Sequence, residues 1–165
     1  MPFAGHAGAA LIVAGLFGLN PLLVLLGSLI PDLDAVIQLF GVKWTSGHRK
    51  ITHSLLFLNL FLVSAVFFPV MLPVAIGLVT HFVTDLDHWG LPLFYPFSSK
   101  CYSVMKVDHK RGNDYDSAEH CISEWFKRRD WKFYFEWGLL GLGIFLTWGY
   151  WVSLLSFLLG IIFIN

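Results

Sequence analysis

The sequence predicts an all-α fold, a polytopic membrane helical bundle with short or re-entrant helices and a polar cytoplasmic loop region. Three observations predict it. The 165-residue chain is 56% hydrophobic and 13% charged, where soluble domains carry about a quarter charged residues. Its apolar residues gather in four blocks, 7–30, 54–68, 70–86 and 133–164. All eleven Lys and Arg fall in two polar stretches, three at Lys43, Arg49 and Lys50 and the rest between Lys100 and Lys132. One membrane-embedded domain over residues 1–165 is the expected organisation, with polar loops at 31–53 and 98–132.

In the first block, Asn20-Pro21 reads as a cap followed by proline at the first helical position, so two short helices are expected at about 7–18 and 21–30. At 1.5 Å per residue each reaches about 15–18 Å against a hydrocarbon core of about 30 Å. A re-entrant or buried hairpin fits better than two full spans, and a single kinked span is the alternative. Pro69 divides the second and third blocks and disfavours helix at Phe68, which suits a tight turn between antiparallel helices. The fourth block holds one acid, Glu136, and no Lys or Arg. It is either one long tilted helix or two short ones broken near Gly149-Tyr150-Trp151.

The positive-inside rule places both basic loops in the cytoplasm, and several of the seven Trp lie near block ends, as an interfacial belt would require. Net charge is zero, and no nucleic-acid partner is expected. Lys110-Arg111 and Lys127-Arg128-Arg129 read as a solvated surface facing anionic lipid head groups. Cys101 and Cys121 form no C-x-x-C and read as ordinary thiols, with a single disulfide between them as the alternative. No basic residue precedes the first apolar run, so a cleavable signal is not expected.

Four clusters at block edges can carry chemistry: His6; Asp32 and Asp34 after Pro31; His48, Arg49 and His53 before the second block; and His81, Asp85, Asp87 and His88 at the end of the third. His81, Asp85 and His88 follow i, i+4, i+7 spacing, which a helix places on one face. Two ligands at i and i+4 can grip one ion, as helical His-x-x-x-His zinc sites do. Ionisable groups in an apolar helix are expensive and usually functional. Each cluster also has a plainer reading: a bracing His–Asp pair, an Asp-rich helix stop, or a polar loop with a Thr52 or Ser54 cap. If the first block is a hairpin, His6, Asp32, Asp34, His48, His53, His81 and Asp85 share one face. Seven candidates exceed the three or four protein ligands of one zinc, and suit two ions or one ion with a supporting shell. A metal there would lower the pKa of a water, with Asp34 or Asp87 as general base and Arg49 as a fork for phosphate or carboxylate.

The string Leu29-Ile30-Pro31-Asp32-Leu33-Asp34, then Gly47-His48-Arg49 through Thr52-His53-Ser54, then His81-x3-Asp85 and Gly90-Leu91-Pro92-Leu93-Phe94-Tyr95-Pro96-Phe97-Ser98, resembles the YdjM-like family. Its members are inner-membrane proteins described as metal-dependent hydrolases. The match covers roughly residues 5–120, with Gly5-His6 at its start and Gly112-Asn113 and Glu119 further on. The resemblance implies that His6, Asp32, Asp34, His48, His53, His81 and Asp85 are the functional set, with Arg49 and Glu119 beside them. It also implies some similarity to zinc-dependent phospholipase C enzymes. Two departures stand out. Ala35 replaces a frequent His, and the stretch from Asp85 to Gly90 is one residue short, which gives Asp87 or His88 room for a role.

The expected function is therefore hydrolysis of a membrane-associated ester, foremost a phosphoester of a lipid or lipid-linked substrate. One to three divalent ions are expected, zinc first and manganese or iron as alternatives. A divalent-cation carrier and a structural or regulatory membrane protein are the competing readings.

Overall fold

Residues 3–17, rich in alanine, glycine and aliphatic side chains, wind into α1 (Phe3–Phe17). The computed structural model describes residues 3–34, 50–86, 90–104, 123, 126–127 and 129–164. Gly18 stops α1 in the left-handed region at φ 62°, a conformation glycine reaches without a Cβ penalty. Asn20 then caps α2 (Pro21–Leu29), its side-chain oxygen accepting from the amides of Leu22 and Leu23 at 3.1 and 3.3 Å. The expected pair of short helices is what the first block forms.

Ser54 caps α3 (Leu55–Phe67) by accepting from the Phe57 amide at 3.3 Å. A 3-10 turn at Pro69–Met71 reverses the chain into α4 (Leu72–Asp85). The fourth block divides into α5 (Trp131–Leu146) and α6 (Trp148–Ile164), with Asp130 capping α5. The described residues of the fold are thus helical throughout, apart from turns and one isolated bridge between Leu91 and Tyr102. No single helix among them is long and apolar enough to cross a membrane; the α5–α6 pair, bent by 65°, passes that test only by joint length and composition.

Small residues bring the helices together. A Cβ on Gly77 would overlap the Val24 carbonyl oxygen, and one on Gly27 would overlap that of Val74, so α2 and α4 touch backbone to backbone. Gly8 and Gly143 do the same for α1 and α5, where an added Cβ would lie 2.6 Å from Leu140 N and 2.7 Å from Leu11 Cβ. Apolar helices that gain little from burying surface against one another associate through such contacts. Leu78, Phe82 and Leu91 form one buried cluster, and Ala10, Ala14 and Val24 another.

These contacts fix the directions. Gly8, Leu11 and Gly15 meet Leu140, Gly143 and Leu146 in that order, so α1 and α5 run in parallel. α2 and α4 both run towards the opposite end, where His81 meets Ser28. The start of α1, the ends of α2 and α4 and the start of α3 therefore converge at one end of the bundle.

Candidate metal centre

Each described candidate residue owes its place to a helix end or a 3-10 turn at that converging end. His6 stands in the first turns of α1. Asp32 and Asp34 lie in the 3-10 turn over residues 30–34 that continues α2 past Pro31. His53 ends a second 3-10 turn, Ile51–His53, held by Ser54 Oγ donating to the Ile51 carbonyl at 2.7 Å. His81 and Asp85 occupy successive turns at the end of α4. His6, His53, His81 and Asp85 are fully buried, and Asp34 is buried as well.

His81 is the hub. Its ring stacks on His6 with centroids 4.1 Å apart and meets His53 edge-on at 5.1 Å. Its Nε2 lies 3.2 Å from His53 Nε2, 3.5 Å from Asp85 Oδ2 and 3.9 Å from Asp32 Oδ1. His53 Nε2 is 3.6 Å from Asp85 Oδ2 and 3.8 Å from Asp32 Oδ1. Asp85 turns its other oxygen, Oδ1, towards His6 Nε2 at 3.3 Å. Two triads result, His6–His81–Asp85 and Asp32–His53–His81, each with donor atoms within 4.8 Å of one another.

The hydrogen bonds at the far side of each ring fix the tautomers. His81 Nδ1 lies 2.7 Å from the Ser28 carbonyl oxygen, which only accepts, so Nδ1 carries the proton. Thr52 Oγ1 donates its one proton to Asp34 Oδ2 at 2.8 Å and therefore accepts from His53 Nδ1 at 3.0 Å. Thr84 Oγ1 donates to the main-chain carbonyls of Thr80 or His81 and so accepts from His6 Nδ1 at 2.7 Å. In a neutral imidazole a proton on Nδ1 leaves a lone pair on Nε2. All three Nε2 atoms thus turn lone pairs towards the carboxylates and each other.

Lone pairs facing each other at 3.2 Å across a buried space repel unless a cation lies between them. A proton on one ring would serve His53 and His81 alone. It would leave His6 Nε2, a buried nitrogen with no hydrogen bond, still aimed at Asp85. A divalent ion answers all three, and metal-bound histidines usually donate their other ring nitrogen to a carbonyl or a similar acceptor. The residues present therefore fit a borderline cation that takes nitrogen and oxygen ligands.

The structure brings together six of the predicted residues: His6, Asp32, Asp34, His53, His81 and Asp85. Asp34 stands apart from both triads and faces the Nδ1 side of His53 at 3.7 Å. His48, Arg49, Asp87, His88 and Glu119 lie outside the described residues. Cys101 is an exposed free thiol, and Cys121 also lies outside the described residues. Three supporting groups escaped the sequence reading. The Ser28 carbonyl and Thr84 carry no motif that marks them, and Thr52 reads in sequence only as a helix cap. A hydroxyl three residues after His81 was the one local signal for Thr84.

Thr52→Val should weaken metal binding about 10- to 100-fold, the usual cost of losing an outer-shell partner. Thr52→Ser should restore most of it, since it keeps the hydroxyl that joins Asp34 to His53. Competition with a fluorescent chelator measures both.

These features define an all-α protein of short apolar helices built over a buried histidine–aspartate cluster whose geometry could hold a metal ion. Its sequence matches the model of the YdjM inner membrane protein family over residues 1–161, and the chain belongs to that family. No curated protein and no solved structure matches it.

Proposed function

We propose that the protein is a membrane-bound, metal-dependent hydrolase acting on a phosphoester carried by a lipid or another membrane-associated molecule. The observation that supports this most is the convergence of three imidazole lone pairs on Asp32 and Asp85 in a buried cluster. A bound divalent ion supplies a Lewis acid that polarises a phosphoryl oxygen and activates water near neutral pH. Zinc suits the mixed imidazole and carboxylate set, and manganese or iron would also be accommodated.

The chain's own residues prepare the site. Ser28, Thr52 and Thr84 hold the rings in one tautomer and one orientation. Asp85 turns one oxygen towards His6 and the other towards His53 and His81, so it would hold an ion in either triad, with the single Nε2 lone pair of His81 common to both. The Asp32 side chain is 11% exposed while the other ligands are sealed, so a head group meets the cluster on the Asp32 side. Asp34 acts in this reading as a positioning residue for His53 through Thr52. Arg49, four residues before His53 in sequence, and Asp87 keep their proposed roles in holding the anionic group and exchanging protons. The basic loops face the cytoplasm and anionic lipid head groups.

The reading is tested with detergent-purified protein loaded with zinc or manganese and assayed on lipid phosphoesters. Release of soluble phosphoester, abolished by chelation and by His53→Ala, is the expected result. Bound metal without turnover on any lipid or soluble phosphoester would favour a divalent-cation carrier. Metal retention should also fall steeply with acid, because each imidazole must be unprotonated to bind. Acid therefore removes metal and base preserves it, and a metal titration at several pH values should show more than one proton competing per ion.

A further inference from the structure

The described surface is sharply divided between the two ends of the bundle. Residues 1–31 and 51–84 contain no Asp, Glu, Lys or Arg at all. The described charged side chains, apart from buried Glu136, lie at the end that holds the candidate metal centre: Lys50, Lys100, Lys127, Arg129, Asp130 and Lys132 with Asp32, Asp34 and Asp85. Aromatic residues accompany them. Lys132 lies over the exposed Trp131 ring at 5.9 Å and Lys100 over Tyr102 at 5.4 Å, the amphipathic pairing of a membrane–water boundary.

The far end carries the opposite surface. The two hairpin turns there expose Leu16, Phe17, Val66, Phe67, Phe68, Val70 and Met71, with Phe17 at 73% and Val66 at 78%. Solvent-facing turns are normally polar, so these tips are shaped for an apolar medium. Several polar groups at and near the tips are bonded internally. Asn20 Oδ1 accepts from two amides and from the Tyr150 hydroxyl at 3.2 Å, and Ser64 and Ser153 donate to carbonyls within their own helices. Asn59 on α3 lies little more than a turn from the charged end.

Length sets the depth. α3 and α4, with 13 and 14 residues, reach about 20 Å at 1.5 Å per residue. Started at head-group level, they end near the middle of a hydrocarbon core about 30 Å thick. α5 descends beside α1, and its end at Leu146 lies against Gly15, so α6 begins at the same depth.

We propose that the α1–α2 and α3–α4 hairpins enter the bilayer from the charged face and turn back within its hydrocarbon, leaving the candidate metal centre at the head-group level of that leaflet. The partner of the apolar tips is the acyl-chain interior of a phospholipid bilayer. Only the bent α5–α6 pair then has the reach to go further, in place of the multi-pass arrangement the sequence suggests.

The test places single cysteines at the tips, Phe17→Cys in one hairpin and Phe68→Cys or Val70→Cys in the other, in a chain carrying Cys101→Ser and Cys121→Ser. Each is reconstituted into sealed phosphatidylethanolamine–phosphatidylglycerol vesicles and exposed to a membrane-impermeant maleimide on both sides. A chain with Cys101 as its only cysteine marks the charged end. The expected result is labelling of Cys101 and of no tip cysteine until detergent is added, with spin labels at the tips relaxed by oxygen and not by an aqueous nickel chelate. Labelling of a tip cysteine in sealed vesicles, from either side, would overturn the proposal. The substituted tip side chains, Phe17, Phe68 and Val70, are mostly exposed, and two hairpins give independent readings.

Discussion

His81→Ala should abolish metal binding at either triad, whereas His6→Ala and His53→Ala should each weaken one. His81 Nε2 belongs to both ligand groups, so its loss leaves each with two donors. Loss of an outer-shell partner alone costs about 10- to 100-fold in metal affinity, and loss of the ligand itself should exceed about 100-fold. Stability gives a second readout. An ion present at 100 times its dissociation constant stabilises the folded state by about 2.7 kcal/mol. Wild-type protein should therefore melt higher in metal than in chelator, and His81→Ala should melt alike in both. His81→Gln keeps more of the buried volume and should behave the same way, which separates loss of the ligand from loss of packing.

Gly77→Ala, with Gly27→Ala its equal in overlap, should be among the most damaging single methyl additions in the bundle. Its Cβ would overlap the Val24 carbonyl oxygen, with Ser28 N 2.8 Å away. Both obstacles are backbone, so no side chain can swing aside and α2 must move off α4. Overpacking costs about 1–3 kcal/mol and sometimes more, and this site should reach or pass the upper figure. The consequence extends to chemistry, because the bond from His81 to the Ser28 carbonyl crosses the same contact. Metal affinity should therefore fall together with thermal stability in detergent. Gly138→Ala is the matched control. Nothing lies within 4 Å of a Cβ there, and replacing glycine in a helix gains up to about 1 kcal/mol. Equal effects of the two substitutions would contradict the backbone contact.

The sequence revealed most where a residue acts through its own backbone. Asn20-Pro21, Ser54 and Phe68-Pro69 mark helix boundaries by capping and by the steric demands of proline, and each boundary lies within a residue or two of its expected place. The fourth block was less legible. One long helix and a break near Gly149 fit its sequence alike, but α5 ends at Leu146 and the break falls at Thr147, whose hydroxyl donates back to the Gly143 carbonyl at 2.7 Å and accepts from Trp151 Nε1 at 2.8 Å. A side chain that competes for helix hydrogen bonds can bend a chain without glycine or proline.

The same contrast holds at the candidate centre. The ligand types of His6, Asp32, His53, His81 and Asp85 were visible in the sequence, as was the i, i+4 relation of the last two. The groups that set the tautomers were not. Ser28 contributes a carbonyl, which any residue possesses, and Thr52 and Thr84 act on rings placed by other turns. Gly27 and Gly77 gave no local sign of their contact, because the partner of each lies on another helix some fifty residues away in the chain.

Elemental analysis of protein purified under metal-replete conditions tests the central claim most directly. One or two equivalents of zinc, manganese or iron per chain, lost in His81→Ala while its helical content is unchanged, is the predicted result. A folded wild-type protein that holds no divalent metal would contradict it, and would leave the three imidazoles and their carboxylates as braces of the bundle.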